Sequence, residues 1–182
     1  AQRGVAYEVL VLDDASPDGT IEMLARDFPD VRVIAKENHG DVVALRNEGY
    51  ALARGTYVVT IDDDAYFTSP KTLAHVAAAF AADAEVAAIG MSYMEPSYAA
   101  SADHRPLIDG TPLRHFKGCA HAARKDCVCA VKGYREFFVH QGEERDLCIR
   151  LQQRGYRVIY LDVDIIDTSS SVSYTHLRAH EP

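Results

Sequence analysis

Apolar positions fall in short runs separated by polar turns, and the period of each run assigns it to a strand or a helix. Glu8–Leu12 is a brief apolar run ended by two acids, Asp13 and Asp14, as a buried parallel strand would be. Ser16-Pro17-Asp18-Gly19-Thr20 offers turn and cap residues for a helix to about Asp27, stopped by Pro29. Val31–Ala35 is the next strand. Asp41–Arg54 then carries apolar residues at helical spacing (Val42, Val43, Leu45, Tyr50, Leu52) up to Gly55, and Tyr57–Ile61 runs as a third strand into Asp62-Asp63-Asp64.

The alternation continues. Ser69-Pro70 predicts a cap and first-turn proline for an Ala-rich helix over Lys71–Ala82, and Val86–Tyr93 predicts a strand. Met94 to about Pro112 is irregular, of a length that suits either a functional loop or a mobile lid. Beyond it a strand is expected around Leu113–Cys119, a short helix over Lys125–Val131, a longer helix over Glu143–Arg154 stopped by Gly155, and a strand over Arg157–Leu161. Strands alternating with helices predict an α/β, doubly wound, mostly parallel sheet with helices on both faces. In such sheets ligands bind beyond the carboxyl ends of the strands, where Asp13-Asp14 and Asp62–Asp64 both fall.

Composition narrows the partners. In 182 residues, 19 Lys and Arg against 27 Asp and Glu leave a formal charge of −8. Nucleic-acid binding needs a positive footprint, so no nucleic-acid partner is expected. The longest apolar run, about seven residues in Val76–Ala82, is far short of the roughly 20 a membrane span needs. With no signal peptide at its start, the chain is expected to be cytoplasmic, any membrane association lying in flanking segments. Cys119, Cys127, Cys129 and Cys148 are expected to be free thiols, because the Cys119-x-His121 and Cys127-x-Cys129 spacings are poor for structural zinc.

Three acids at a strand end repel one another unless a cation neutralises them. Carboxylate oxygens suit Mg²⁺ or Mn²⁺, and such an ion keeps positions open for a diphosphate. Glu143-Glu144 at a helix start, where the dipole favours the ionised carboxylate, can supply a general base. The plain structural alternative is a pair of helix-start acids matched by Arg145 or Arg150. Tyr134 and Phe138 are expected in the core, and His115, His121 and His140 on the surface or in polar loops.

Four segments in series, Val11–Thr20, Asn38–Gly40 with Ala44–Gly49, Ile61–Ala65, and Gly142–Leu147 with Arg150-Leu151, resemble the successive motifs of inverting family-two glycosyltransferases of the GT-A fold. The resemblance covers roughly Tyr7 to Asp167. It implies a metal-dependent enzyme moving a sugar from a nucleoside-diphosphate sugar to a glycan, polysaccharide or lipid acceptor. Asp14 would accept from the nucleotide base with Asp13 supporting that pocket, and Arg46 would lie against the base or diphosphate. Asp62 and Asp64 match the DxD motif, with Asp62 towards ribose and diphosphate and sharing the metal, Asp64 as principal ligand of Mn²⁺ or Mg²⁺, and Asp63 counted with the nucleotide-binding residues. Glu144 matches the catalytic base, usually Asp in the family, and Glu143 competes for that role. The metal site is often completed by a histidine after the last strand, where this chain has Asp167.

Only seven residues precede the first strand, so an earlier strand and helix of the fold are expected to be missing. The domain is placed at residues 1–171. Val172–Glu181 (VSYTHLRAHE) resembles a translated sequencing-library adapter, so 172–182 is set apart as a non-native tail. Two alternatives remain open on sequence: an inactive fragment of such an enzyme, and a Mg²⁺-binding phospho-receiver module.

Overall fold

The computed structural model describes residues 1–94, 107–138 and 142–167. Its elements in chain order are β1 (Leu10–Asp13), α1 (Thr20–Asp27), β2 (Arg32–Ala35), α2 (Val42–Leu52), β3 (Tyr57–Ile61), β4 (Ala65–Phe67), α3 (Thr72–Ala82), β5 (Val86–Met94), β6 (Ala120–Arg124), α4 (Lys125–Ala130), α5 (Glu143–Gln153) and β7 (Arg157–Asp167). The adapter-like segment and His140 lie outside the described residues, as does most of the expected irregular loop.

β1 and β2 form a parallel pair, and the other strands form one sheet in the order β3-β6-β5-β7-β4. β5 pairs parallel with β7, and β6 pairs antiparallel with both β3 and β5, so β3, β5 and β7 share one direction. β4 also runs against its neighbour β7. The expected α/β sheet is present, with two reversed strands added. β4 is reversed because the chain turns back through Asp62–Asp64, where Ala65 N–H donates to the Asp62 carbonyl at 3.1 Å.

Strand periodicity sorts the core into two layers. Val58, Ala123, Ala88 and Val158 are in register across four strands and face Val43 and Tyr50 of α2, Cys127 and Val128 of α4, and Leu147 and Leu151 of α5. Their neighbours Val59, Ala122, Ile89 and Ile159 face the other way, against Val76 and Phe80 of α3. Helices therefore cover both faces, as the alternation predicts.

Several boundaries differ from the sequence reading. The strand expected at Leu113–Cys119 is a loop with isolated bridges at Pro112 and Lys117, and the strand itself is β6. Ala120-His121-Ala122-Ala123 has weak strand propensity, yet it forms β6 because it pairs with β3 on one side and β5 on the other and all four residues are buried. β7 continues past Leu161 because Val163 and Ile165 stay buried at alternate positions, a pattern masked in sequence by intervening acids. The helices begin slightly later than the caps expected for them, α1 after Gly19 at φ 82 and α3 after Lys71, while the expected cap segments bond just ahead of them: Asp18 Oδ1 accepts from Thr20 N–H at 3.1 Å and Ser69 Oγ from Lys71 N–H at 3.2 Å. Helix α2 ends at Leu52, three residues before Gly55, with Ala53 as its C-cap.

Candidate active site

Helix α2 is fixed at its start by Asp41, whose carboxylate accepts from Val43 N–H at 2.7 Å. Val43 and Tyr50 lie on one face of it, three or four residues from Arg46 and Asn47, so α2 turns a cation and an amide towards the core. Asn47 ties down the turn after α4: its Nδ2 donates to the Tyr134 carbonyl at 2.9 Å and its Oδ1 accepts from Tyr134 N–H at 2.8 Å. At Gly133, with φ 66, an added Cβ would lie 2.5 Å from Asn47 Oδ1, so the turn requires glycine there.

Arg46 crosses to α5. Its Nη1 donates to Glu143 Oε1 at 2.9 Å and to Glu144 Oε1 at 3.3 Å. Glu143 is 4% exposed and occupies the same apolar stripe as Leu147 and Leu151. Its Oε2 has no hydrogen-bond partner among the described residues. Glu144 stays more open, its side chain 18% exposed. Burial above all, with the Glu143 charge beside it, raises the Glu144 carboxyl above the ordinary carboxylate range, although Arg46 opposes the shift. Burial alone would lower Arg46, but Tyr134, Glu144, Glu143 and Asp62 together outweigh it and hold the guanidinium charged. The ion pairs anticipated with Arg145 or Arg150 do not form: Arg150 Nε donates instead to Asp146 Oδ2 at 2.7 Å.

Gly118 packs directly against the Arg46–Glu144 pair. A Cβ there would lie 2.4 Å from Glu144 Oε1 and 2.7 Å from Arg46 Nη2, so only hydrogen fits against this pair. The Gly118 carbonyl accepts from His121, at 3.0 Å from Nδ1. That assigns the imidazole proton to Nδ1 and leaves Nε2 to accept from the Tyr134 hydroxyl at 2.9 Å. His121 is fully buried and stacked on Phe116 at 4.2 Å, which corrects the surface placement expected for it. Burial, then the Arg46 charge, pushes its pKa down to about 3, so it is a neutral strut. Tyr134 is core, as expected, and Phe138 is half-buried under the exposed Phe137 ring. The buried place of His121 between the Gly118 carbonyl and the Tyr134 hydroxyl is not legible in sequence, since a His in an Ala-rich run carries no periodic signal.

The acids after β1 take separate positions. Asp13 is 5% exposed and its Oδ1 accepts from Ser16 N–H at 3.0 Å, which fixes the turn. Asp14 accepts from Gly40 N–H at 2.7 Å and lines a cleft of about 350 Å³ with Lys36, Asn38, Asp41, Leu45 and Glu48. A second cleft, of about 320 Å³, includes His115, Phe116 and Lys117 and reaches the residue before Gly118.

Asp62, Asp63 and Asp64 form the β3–β4 turn, with Asp62 and Asp63 exposed and Asp64 half-buried. The β4–β7 ladder pairs Ala65 with Asp167, one residue from Asp64. The role expected of the Asp167 side chain lies outside the described part of the structure. Among the described residues no cluster of three His, Cys, Asp or Glu stands ready for a metal. Hard carboxylate oxygens fit a divalent ion that takes one or two protein carboxylates and completes its shell with substrate phosphates and water. No helix among the described residues is long and apolar enough to cross a membrane.

The sequence model described as Glycosyl transferase family 2 matches residues 1–136. The succinoglycan biosynthesis protein ExoO of Rhizobium meliloti (strain 1021) is 31% identical over 117 residues, 64% of this chain and 30% of that protein. The O-antigen biosynthesis protein RfbC of Myxococcus xanthus is 29% identical over 163 residues, 81% of this chain and 12% of that protein. The chain thus spans under a third of these curated relatives. Among solved structures, the mannosyltransferase PcManGT from Pyrobaculum calidifontis, in complex with GDP-Man and Mn²⁺, superposes with TM-score 0.71 at 21% identity, covering 94% of this chain and 50% of that one. GalNAc-T7 with UDP, GalNAc and Mn²⁺ gives TM-score 0.70 at 12% identity, covering 88% and 37%. At these identities the likeness speaks for the fold, which is of the GT-A type. The receiver-module alternative requires a wound parallel sheet without the reversed β4 and β6.

Proposed function

The chain belongs to glycosyl transferase family 2, and from that premise we propose that it moves a sugar from a nucleoside-diphosphate sugar to an acceptor hydroxyl, inverting the anomeric carbon. One observation carries this reading. Glu144 is a half-buried carboxylate at the start of an α-helix, tied by one oxygen to a guanidinium on α2, whose first turn borders the cleft that holds Asp14.

Glu144 acts as general base and takes the proton of the acceptor hydroxyl as its oxygen attacks the anomeric carbon. The bond from that carbon to the diphosphate oxygen breaks on the opposite side, and the diphosphate leaves with the electron pair. Asp14 binds the nucleotide base in its cleft, and Asp13 keeps the turn rigid through Ser16. Asp62 and Asp63 face the ribose and diphosphate. Asp64 and Asp62, with Asp167, would hold a divalent cation, Mn²⁺ or Mg²⁺, which when bound offsets charge on the departing diphosphate. The biosynthetic names of ExoO and RfbC support a glycan or lipid-linked glycan acceptor.

The test is release of nucleoside diphosphate from UDP-, GDP-, dTDP- and CDP-sugars with Mn²⁺, wild type against Glu144→Gln. One donor class should turn over, and the variant should lose about 100-fold or more in rate with unchanged donor affinity. Turnover by Glu144→Gln at the wild-type rate overturns the reading.

A further inference from the structure

A cation on the buried face of a helix is costly unless paired, and so is a carboxylate oxygen buried without a partner. Arg46, with its side chain 15% exposed, and Glu143, at 4%, accept both costs in one cluster. The guanidinium also lies 5.9 Å from the centre of the Tyr134 ring, and Gly118 leaves no space behind it. Packing alone would favour apolar side chains at both positions, so the cluster points to a task beyond stability.

We propose that Arg46 and Glu143 are positioning residues for Glu144: Glu143 anchors the guanidinium, and Arg46 pins Oε1 of Glu144 so that the carboxylate is held in place to receive the acceptor proton. The inference rests on Glu144 being the base. It removes Glu143 from competition for that role, because Glu143 is enclosed and its Oε1 is engaged by the guanidinium.

The arrangement has a signature that a merely structural ion pair lacks. The titratable and charged groups acting on Glu144 are Arg46 from α2, Tyr134 from the turn after α4, and Glu143 and Cys148 from its own helix. Arg46 favours the ionised base and Glu143 opposes it. Removing the two partners should therefore move the base in opposite directions.

The experiment is a carboxyl-¹³C NMR titration of the full chain labelled at glutamate, with the Glu144 signal assigned by its loss in Glu144→Gln. In Arg46→Gln the Glu144 midpoint should rise by about one pH unit or more, and in Glu143→Gln it should fall. Arg46→Lys keeps the charge without the fork and should recover part of the shift. Gly118→Ala leaves every charge in place but pushes Glu144 off Arg46, so it should shift Glu144 upward as well, and it decides the matter if Arg46→Gln does not fold. The acid limb of nucleoside diphosphate release should move with each midpoint. Midpoints unmoved in all the folded variants, or moved the same way by Arg46→Gln and Glu143→Gln, overturn the positioning role. If Glu144→Gln keeps full turnover while the midpoints split as described, the base assignment fails and the electrostatic coupling stands.

Discussion

As the proposed general base Glu144 would have to be ionised, yet it sits where burial favours its neutral form. A carboxyl raised in the folded state contributes stability that is fully present below its unfolded pKa and is lost as pH rises through the folded value. At neutral pH the ionised Glu144 is therefore a net cost. Glu144→Gln should melt about 1–3 °C higher than wild type at pH 7, and the gain should vanish near about pH 4, where the wild-type carboxyl is protonated too. Calorimetry at the two pH values checks this, and a lower melting temperature at pH 7 would oppose it. Much of this scale is legible in the sequence: Asp13-Asp14, Asp62–Asp64 and Glu143-Glu144 are short runs at element ends. Arg46 is different. Its partners are 97 and 98 positions away, and a sequence without its fold offers only the nearer Arg145 and Arg150.

Elements follow the same division between local and distant causes. α1 and β3 match the sequence reading closely because turn residues and an apolar run define them locally. β6 and β4 escape it because an alanine-rich run in the first case and a three-residue length in the second carry no periodic signal, and only the neighbouring strands make them strands. The loop before β6 is held against β5 at Gly90, where an added Cβ would lie 2.6 Å from Leu113 Cδ1 and 3.1 Å from Phe116 Cβ. Gly90→Ala should cost about 1–3 kcal/mol in urea unfolding by overpacking. Since Phe116 stacks on His121, the same variant should slow turnover more than it weakens donor binding. An unchanged stability would mean that the loop yields freely and does not brace the site.

At the scale of the molecule, a sheet covered by α3 on one face and by α2, α4 and α5 on the other lets Glu143, Glu144 and Asp62, far apart in sequence, all act on the Arg46 guanidinium. The α/β class and two-faced cover are readable from alternation alone, whereas strand order and the two reversed strands depend on pairings between segments far apart in sequence. On the proposed reaction, a chain with formal charge −8 needs positive charge at the site to take a diphosphate, and Arg46 is already engaged by Glu143 and Glu144. Nucleotide binding should therefore depend on a divalent ion held by Asp64. The most direct measurement is the melting temperature of the full chain with UDP, GDP, dTDP or CDP, each with and without Mn²⁺, for wild type and Asp64→Ala. A ligand at a hundred times its Kd adds about 2.7 kcal/mol to the folded state. One nucleotide should raise the melting temperature only with Mn²⁺, and Asp64→Ala should abolish the rise. A cooperative melt that no nucleotide shifts, with or without the ion, would contradict the account.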